Sequence, residues 1–319
     1  MVKPLLSVAL ITYNHGPYIR QCLESILAQE TDFDFEIVAG EDFSTDNTRE
    51  ILDEFKARFP EKIRLLYREK NLGRPTLNVY QTSMACRGEF IAYIEGDDFW
   101  TDVHKLQTQA DFLTEHPEYA AVTHSAVLVD EKGEPLSDSS PMELYDWSGR
   151  YTFDDYKTVP RWPGHTASVF TRNFWHDGEY DYTILYRAHD FIDDAVILLF
   201  MLLHGPVMRL DPVMSAWRYV AKADGENWNS LKAKRDEALE ECRMRCIMLK
   251  WCEKNVGLTS FGRKKALADM KYALSIFLRH PSGESLNNAW TLFCYDILHV
   301  TLHILPFKDD AGYETEAEK

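Results

Sequence analysis

Short apolar runs alternate with stretches of helical periodicity over the first 130 residues of the chain. Leu5–Ile11, Phe35–Gly40, Lys62–Arg68 and Glu89–Glu95 are predicted strands, since each is a short, mostly apolar run bounded by polar or turn residues. Between these runs, apolar residues recur at three- and four-residue steps, as over residues 18–27, and this spacing predicts helices. Strands that alternate with helices indicate an α/β fold built on a doubly wound, mainly parallel sheet.

The pattern is less regular after residue 130. Residues 134–163 are rich in Pro, Ser and aromatics, and we expect an irregular segment that covers a site or joins two lobes. His165–Thr171 again has strand character, and Asp193–His204 is a strongly apolar predicted helix.

In the first half of the chain, Asn47 with Glu50 three residues later predicts a helix start of the capping-box type.

The composition changes near residue 228, where charged residues, Ala and Leu begin to dominate. We therefore predict a main domain over residues 1–228, in two parts (1–130 and 131–228), and a helical extension over 229–305. Residues 306–319 form an acidic tail that we expect to fray.

The predicted extension ends in an amphipathic stretch. Its apolar residues recur at helical steps: Trp290, Phe293, Ile297, Val300, Ile304 and Phe307. A helix packed on the core, a contact with a membrane surface and a contact with a partner chain, such as a second copy, all fit this stripe. Few Lys or Arg residues occur in 289–307, which weakens the membrane version.

Composition excludes several classes of protein. The 319 residues contain 35 Lys and Arg against 51 Asp and Glu, a formal net charge of −16, so the chain repels phosphate backbones and nucleic acid is not an expected partner. Its six cysteines match no CxxC pattern and predict reduced thiols. The chain opens without a signal-peptide pattern, and no apolar stretch is a convincing membrane span. We expect a cytoplasmic protein, with peripheral contact at the inner face of the cell membrane as an option.

Polar side chains follow three of the predicted strands. They are Thr12-Tyr13-Asn14, Glu41-Asp42 and Asp97-Asp98. Ligands of open α/β sheets bind at the carboxyl ends of the strands, so these clusters are the candidate site. Two adjacent carboxylates repel each other unless a divalent cation such as Mg²⁺ or Mn²⁺, or sugar hydroxyls, compensate them. A helix N-terminus near residue 102 would explain Asp97-Asp98 equally well.

The order and spacing of these segments resemble a known family. SVALITYNHGPYIRQCLESILAQ, EIVAGEDFSTDNT, NLGRPTLN and GEFIAYIEGDDFWTDVHKLQTQADFL are similar to the nucleotide-sugar-binding half of the family 2 glycosyltransferases, over roughly residues 5–130. DDAVILLFMLLHGPVMRLDPVMSAWR resembles the segment of that family that carries its catalytic base. The resemblance implies a GT-A fold for residues 1–228. It also implies transfer of a sugar, usually with inversion, from a nucleotide-diphosphate donor to a hydroxyl of a glycan or lipid-linked acceptor.

The resemblance also implies roles for individual residues. Thr12, Tyr13 and Asn14 match the loop that lines the nucleotide, and Asp42 matches the acidic position that contacts its base. Asp97 is expected at the ribose and Asp98 at the metal that bridges the diphosphate. Further donor contacts are implied for two basic residues, Arg74 and Arg218, although a solvent-facing loop arginine explains Arg74 equally well.

The base and the acceptor side are assigned from the resemblance together with chemistry. An inverting transfer needs a carboxylate to take the proton of the acceptor hydroxyl. Asp194 stands eleven residues before Gly205, where the family places its base. The neighbouring Asp193 and Asp190 stay alternatives, as does a helix-start carboxylate without catalytic function. His165 resembles an acceptor-side polar position, or is a strand-end histidine satisfied by its surroundings.

One departure from the family pattern concerns the metal or the diphosphate. Many relatives carry a histidine two residues after the arginine that corresponds to Arg218, and this chain has Val220 there. A sugar-binding or scaffold protein that has lost catalysis therefore stays an alternative, although Asp97, Asp98 and Asp194 argue against it. A nucleotidyltransferase would need a Gly-rich, basic loop after the first strand, and TYNHGPYIR lacks one.

Overall fold

The computed structural model describes residues 4–136, 148–158, 162–220, 237–257, 271–272, 274–279 and 281–293. The strands are β1 (Leu6–Thr12), β2 (Phe35–Glu41), β3 (Ile63–Tyr67), β4 (Phe90–Glu95), β5 (Phe99–Trp100), β6 (Ala121–Val129), β7 (Gly149–Tyr151), β8 (Phe170–Arg172) and β9 (Val207–Arg218). The helices are α1 (Ile19–Leu27), α2 (Thr48–Arg58), α3 (Pro75–Ala85), α4 (Lys105–Glu115), α5 (Phe153–Thr158), α6 (Ile184–Ala188), α7 (Asp194–His204), α8 (Glu237–Val256) and α9 (Gly283–Phe293). Thr166–Ser168 form a 3₁₀ turn.

These strands form one sheet in the order β3-β2-β1-β4-β8-β6-β9-β5, with β7 paired to β9. β1 to β4 are mutually parallel, and β8 runs antiparallel to both β4 and β6. In the register of the sheet, Thr12 lies opposite Glu41, and Ile11 lies opposite Glu95. The carboxyl ends of β1, β2 and β4 are therefore level, which brings the polar residues after them to one edge.

The strands are apolar throughout because both faces of the sheet are covered. Every residue of β1 and of β2 is buried. α1, α2 and α4 pack on one face, where Leu23, Phe55 and Leu113 join its apolar cluster. α3, α7 and α8 pack on the other face, with side chains such as Leu199 and Trp251. The predicted doubly wound, mainly parallel α/β fold is confirmed.

Two local expectations need correction. Asn47 makes no capping hydrogen bond with its side chain; instead, Asp46 Oδ1 accepts from the Thr48 backbone N–H at 2.9 Å. The segment expected to be irregular contains β7 and α5 in its described part. β7 is only three residues long, so it is too short to show a period, and its Tyr151 is buried opposite Val207 of β9.

The described C-terminal helices pack on the rest of the chain. Trp251 of α8 is buried and donates its indole N–H to the Asp181 carbonyl at 3.0 Å. Most of the predicted apolar stripe, the acidic tail and residues 221–236 lie outside the described residues. Within the part of the chain that the structure describes, no helix combines the length and the apolar character needed to cross a membrane.

A buried ion-pair network ties the amino-terminal ends of β1 and β2 to the segment before β4. Glu36 accepts from Ser7 Oγ at 2.8 Å, from Arg64 at 3.0 Å and from the Arg87 guanidinium at 2.5 Å. Burial alone would raise the pKa of Glu36, but the hydrogen bonds from Arg87, Ser7 and Arg64 outweigh it and hold that pKa below its usual value. The ionised form of Glu36 therefore stabilises the fold.

Replacing Glu36 with Gln should lower the free energy of unfolding by about 1–3 kcal/mol at pH 7, because the charge-assisted hydrogen bonds are lost. The native pKa of Glu36 is depressed, so its contribution is present above the unfolded pKa and is lost as the pH falls through the native pKa. Urea unfolding of both proteins at several pH values from 7 down to about 2.5 should show the difference shrinking below about pH 4.5, the ordinary pKa of a glutamate. The exposed Glu89→Gln is the control, and a difference that stays constant with pH would contradict the assignment.

Candidate functional site

The loop after β1 is held in place by the turn after β2. Asn14 has a positive φ of 53°, and its side-chain carbonyl accepts from the Thr45 backbone N–H at 2.8 Å. Thr12, which ends β1, is buried. A Cβ on Gly96 would lie 2.6 Å from Thr12 Oγ1 and 2.8 Å from His15 Nδ1, so a glycine is needed for β4 to pass this loop. The predicted nucleotide loop therefore lies directly beside the carboxylates that follow β4.

Asp42 lies beside this loop, at the outer end of the site. Its backbone N–H donates to the Thr12 carbonyl at 3.0 Å, and its Oδ1 accepts from the Leu72 N–H at 2.9 Å. Burial raises the pKa of Asp42 to about 6, against the opposing effects of the Leu72 amide and Arg68. The adjacent Glu41 is fully buried and accepts from the Ser44 N–H at 2.5 Å, so it builds the turn rather than facing a ligand.

Glu95, Asp98 and His165 each offer a ligand atom, and these three atoms all lie within 4.8 Å of one another. Asp98 Oδ1 accepts from the Arg218 backbone N–H at 2.9 Å. Asp98 Oδ2 is buried, has no hydrogen-bond partner among the described residues and lies 3.5 Å from His165 Nδ1. That nitrogen accepts from the Ala167 N–H at 3.3 Å, and the imidazole stacks on Trp217 with ring centroids 4.8 Å apart.

The electrostatics of this cluster favour a bound cation. Burial, followed by repulsion from Asp97, raises the pKa of both Asp98 and Glu95 well above the usual range. Burial lowers the pKa of His165 to about 4, although Asp97 opposes that effect, so the imidazole is neutral at physiological pH. A neutral nitrogen and neighbouring carboxylate oxygens fit a divalent cation, which would displace the protons that these carboxyl groups otherwise retain.

Asp97 lies beside this cluster. Its Oδ2 is 3.8 Å from His15 Nε2, and its buried Oδ1 has no hydrogen-bond partner among the described residues. Its backbone carbonyl accepts from Arg218 Nε at 2.8 Å. Asp97 therefore retains a carboxylate oxygen for a ligand.

Asp193 and Asp194, at the start of α7, lie near Glu95. Asp194 lines a pocket together with Trp162, Thr166 and Met201. Burial raises the pKa of Asp193 to about 6. Both carboxylates are close enough to Glu95 for their charges to raise its pKa. The carboxylates after β4 and those at the start of α7 thus face one region.

Both arginines predicted at the donor are held by protein acceptors. Arg74 Nε donates to Asp190 Oδ1 at 2.7 Å, and its terminal nitrogen donates to the Tyr186 carbonyl at 2.5 Å. The buried Arg218 donates to the carbonyls of Asp97, Asp130 and Glu131 and to the side chain of Gln21. Val220, at the position of the histidine found in many relatives, is buried.

The sequence reasoning missed two residues of this region, Glu95 and His15. The strand pattern predicts Glu95 only as the end of β4, although it stands two residues before Asp97 with glycine between them. That spacing was the signal that could have found it. His15 offered no signal, since it lies in a turn and reaches Asp97 only through the folded register of β1 and β4.

Three comparisons with known proteins bear on this site. A protein of Mycobacterium tuberculosis, named as uncharacterized, is 38% identical over 137 residues, which cover 43% of this chain and 39% of that protein. The putative teichuronic acid biosynthesis glycosyltransferase TuaG of Bacillus subtilis is 31% identical over 134 residues, which cover 42% of this chain and 51% of that one. The match thus spans about two fifths to one half of the length of these curated relatives.

A solved structure extends the likeness over most of the chain. S. aureus TarS 1-349 in complex with UDP superposes with a TM-score of 0.57 at 18% sequence identity, covering 92% of this chain and 82% of that chain. This likeness shows a shared GT-A fold. The family described as Glycosyl transferase family 2 matches residues 7–176. Because that match covers more than half of the sequence, the chain belongs to glycosyl transferase family 2.

Proposed function

We propose that this protein transfers a sugar from a nucleotide-diphosphate donor to a hydroxyl of a glycan or lipid-linked acceptor, with inversion and with a divalent cation. One observation carries the proposal: at the edge where β1, β2 and β4 end, Glu95 clusters with Asp98 and His165 and lies close enough to Asp193 and Asp194 for their charges to act on it. This is where ligands of open α/β sheets bind. Family membership gives the reaction class.

The nucleotide would lie along the ends of β1 and β2. Thr12, Tyr13 and Asn14 form one wall, Asp42 meets the base, and Asp97 accepts from the ribose. TarS, whose fold this chain shares, is described in complexes with UDP and UDP-GlcNAc. TuaG, whose name refers to teichuronic acid biosynthesis, supports a role in surface polysaccharide biosynthesis.

Asp98 with Glu95 and His165 would hold the divalent cation. The cation would neutralise the charge that develops on the departing diphosphate. His165 bears on the choice of metal, since an imidazole ligand suits Mn²⁺ better than Mg²⁺, which prefers an all-oxygen shell. His165 would then supply the ligand that relatives take from the position of Val220. Arg218 acts behind this site, because its backbone N–H fixes Asp98 Oδ1.

Asp194 is the proposed base. The acceptor oxygen attacks the anomeric carbon on the face opposite the diphosphate, the bond from that carbon to the diphosphate oxygen breaks, and the hydroxyl proton passes to the Asp194 carboxylate. Asp194 lines the pocket, whereas Asp193 does not. The acceptor would enter past Trp162 and Thr166, with His165 at the boundary between acceptor and cation.

Residues 1–228 would form the transferase unit and residues 229–305 a helical appendage on it. The buried Trp251 of α8 supports this docking through its hydrogen bond to Asp181. Exposed apolar side chains on the described appendage, among them Leu278, Leu286 and Trp290, leave a surface for the inner face of the cell membrane or for a second copy.

Incubation with UDP-, GDP- and dTDP-sugars and Mn²⁺ tests the reaction class directly. Release of nucleoside diphosphate supports glycosyl transfer or slow donor hydrolysis. Release of pyrophosphate from a nucleoside triphosphate and a sugar phosphate would indicate a nucleotidyltransferase. Binding of sugar without either product would indicate a scaffold.

Asp194→Asn should lower the turnover number by about 10²–10⁴-fold, because the amide keeps the shape of the side chain but cannot accept the proton. Donor affinity should stay within a few-fold, since the base does not hold the donor. Steady-state kinetics and calorimetric titration of the donor measure the two effects. Asp193→Asn is the matched control and should do much less. Exchanged phenotypes would make Asp193 the base, and full activity of both variants would leave Asp190 as the next candidate.

Asp98→Asn should weaken Mn²⁺ binding by more than about tenfold, since loss of even an outer-shell partner typically costs that much. The variant keeps an oxygen to accept from Arg218. His165→Gln should reduce Mn²⁺ affinity more than Mg²⁺ affinity. Titration of Mn²⁺ followed by electron paramagnetic resonance, without donor, measures binding apart from activity. Asp111→Asn on the exposed face of α4 serves as the control, and an unchanged Mn²⁺ affinity of Asp98→Asn would refute the assignment.

A chain that ends near residue 285 should lose surface association, because it lacks Leu286, Trp290 and the rest of the predicted apolar stripe. Co-sedimentation with vesicles that contain anionic lipid tests the membrane contact, and sedimentation velocity tests self-association. The full-length chain should show one of these associations and the shortened chain neither. Equal behaviour of the two chains in both assays would show that residues 286–319 serve neither purpose.

A further inference from the structure

The segment 71–76 connects the two halves of the proposed active site. At its start, Leu72 donates its backbone N–H to Asp42 Oδ1 at 2.9 Å, and Asn71 donates from its side chain to the Asp42 carbonyl at 3.2 Å. Gly73 has a positive φ of 63°, which turns the chain toward α3. The nucleotide end of the site therefore fixes one end of this segment.

The other end of the segment holds the approach to α7. Arg74 pairs with Asp190 at 2.7 Å and donates to the Tyr186 carbonyl, although the two charged residues are 116 positions apart in sequence. Thr76 adds two bonds: its N–H donates to the Asp190 carbonyl at 3.1 Å, and its hydroxyl donates to the His189 carbonyl at 2.8 Å. Only residues 191–193 separate this anchor from Asp194.

We propose that the Arg74–Asp190 ion pair is a positioning clasp, which sets the start of α7, and with it Asp194, against the carboxylates after β4. The inference rests on the proposed function. Under it, Arg74 is not a ligand of the diphosphate and Asp190 is not the base. Each acts by holding the other. The segment 71–76 thereby couples the position of Asp194 to the position of the turn that carries Asp42.

Loss of the Arg74–Asp190 ion pair should change the geometry of the site more than the free energy of unfolding. The side chains of Arg74 and Asp190 are 27% and 46% exposed, and ion pairs of this kind contribute little to the free energy of unfolding. Removal of the pair should therefore leave a folded protein. A shift of about 1 Å in a catalytic group can nevertheless cost about 10² in rate, so turnover is the sensitive quantity.

The test compares Arg74→Met, Asp190→Asn and the double variant with the wild-type protein. The turnover number should fall about tenfold or more in each single variant, while donor affinity, measured calorimetrically with Mn²⁺, stays within about twofold. The double variant should be no worse than the poorer single variant, because both remove the same interaction. Arg74→Lys should recover part of the turnover, since it keeps the charge. Arg187→Met, which breaks the exposed pair with Asp181 on α6, is the matched control.

Hydrogen exchange read by mass spectrometry gives a measure that does not need activity. Faster exchange confined to residues 186–198 in both single variants supports the clasp, even if the wild-type protein transfers no sugar and the proposed function itself fails. Unchanged exchange and turnover in both variants would overturn it. Weaker donor binding in Arg74→Met alone would assign Arg74 to the diphosphate. Loss of activity in Asp190→Asn alone would make Asp190 the base.

Discussion

Burial and mutual repulsion of carboxylates at the end of β4 are the constraint on which the rest of the site depends. Asp98 is buried and Glu95 is half-buried beside Asp97, and burial followed by repulsion from Asp97 raises the pKa of both. The fold meets part of this cost with the backbone N–H of Arg218 on Asp98. The remaining charge favours a cation at this end of the sheet.

The fold places these charges through pairing between distant parts of the chain. β9 is twelve residues long and pairs antiparallel with β5, where Phe99 lies opposite Ala216, and this pairing brings Arg218 to Asp98 across 120 positions of sequence. The Arg218 guanidinium then reaches three backbone carbonyls and Gln21, and it lies 4.7 Å from the Tyr18 ring centroid. This arginine joins the loop after β1, the turn after β6 and the carboxylates after β4 into one rigid support.

The elements could be predicted because buried parallel strands and amphipathic helices leave strong periods in the sequence. The sequence does not show whether Asp46 or Asn47 caps α2, since both are good capping residues. The folded chain favours Asp46 because the Gly16 N–H also donates to its carboxylate, at 2.8 Å. Arg74 could be located near the donor but its partner could not, because Asp190 follows more than a hundred residues later. Glu95 was hidden by its position in an apolar strand, where a carboxylate normally marks only the strand end.

Under the proposed function, His165 would supply from another element the ligand that many relatives carry at the position of Val220. Residue 220 follows the end of β9 and is buried. His165 stands at the entry of the 3₁₀ turn before β8, and stacking on Trp217 of β9 orients its Nδ1 toward Asp98. β9 thus supplies both the backbone N–H that bonds Asp98 and the tryptophan on which the imidazole stacks, so one strand positions both groups of the proposed cation site.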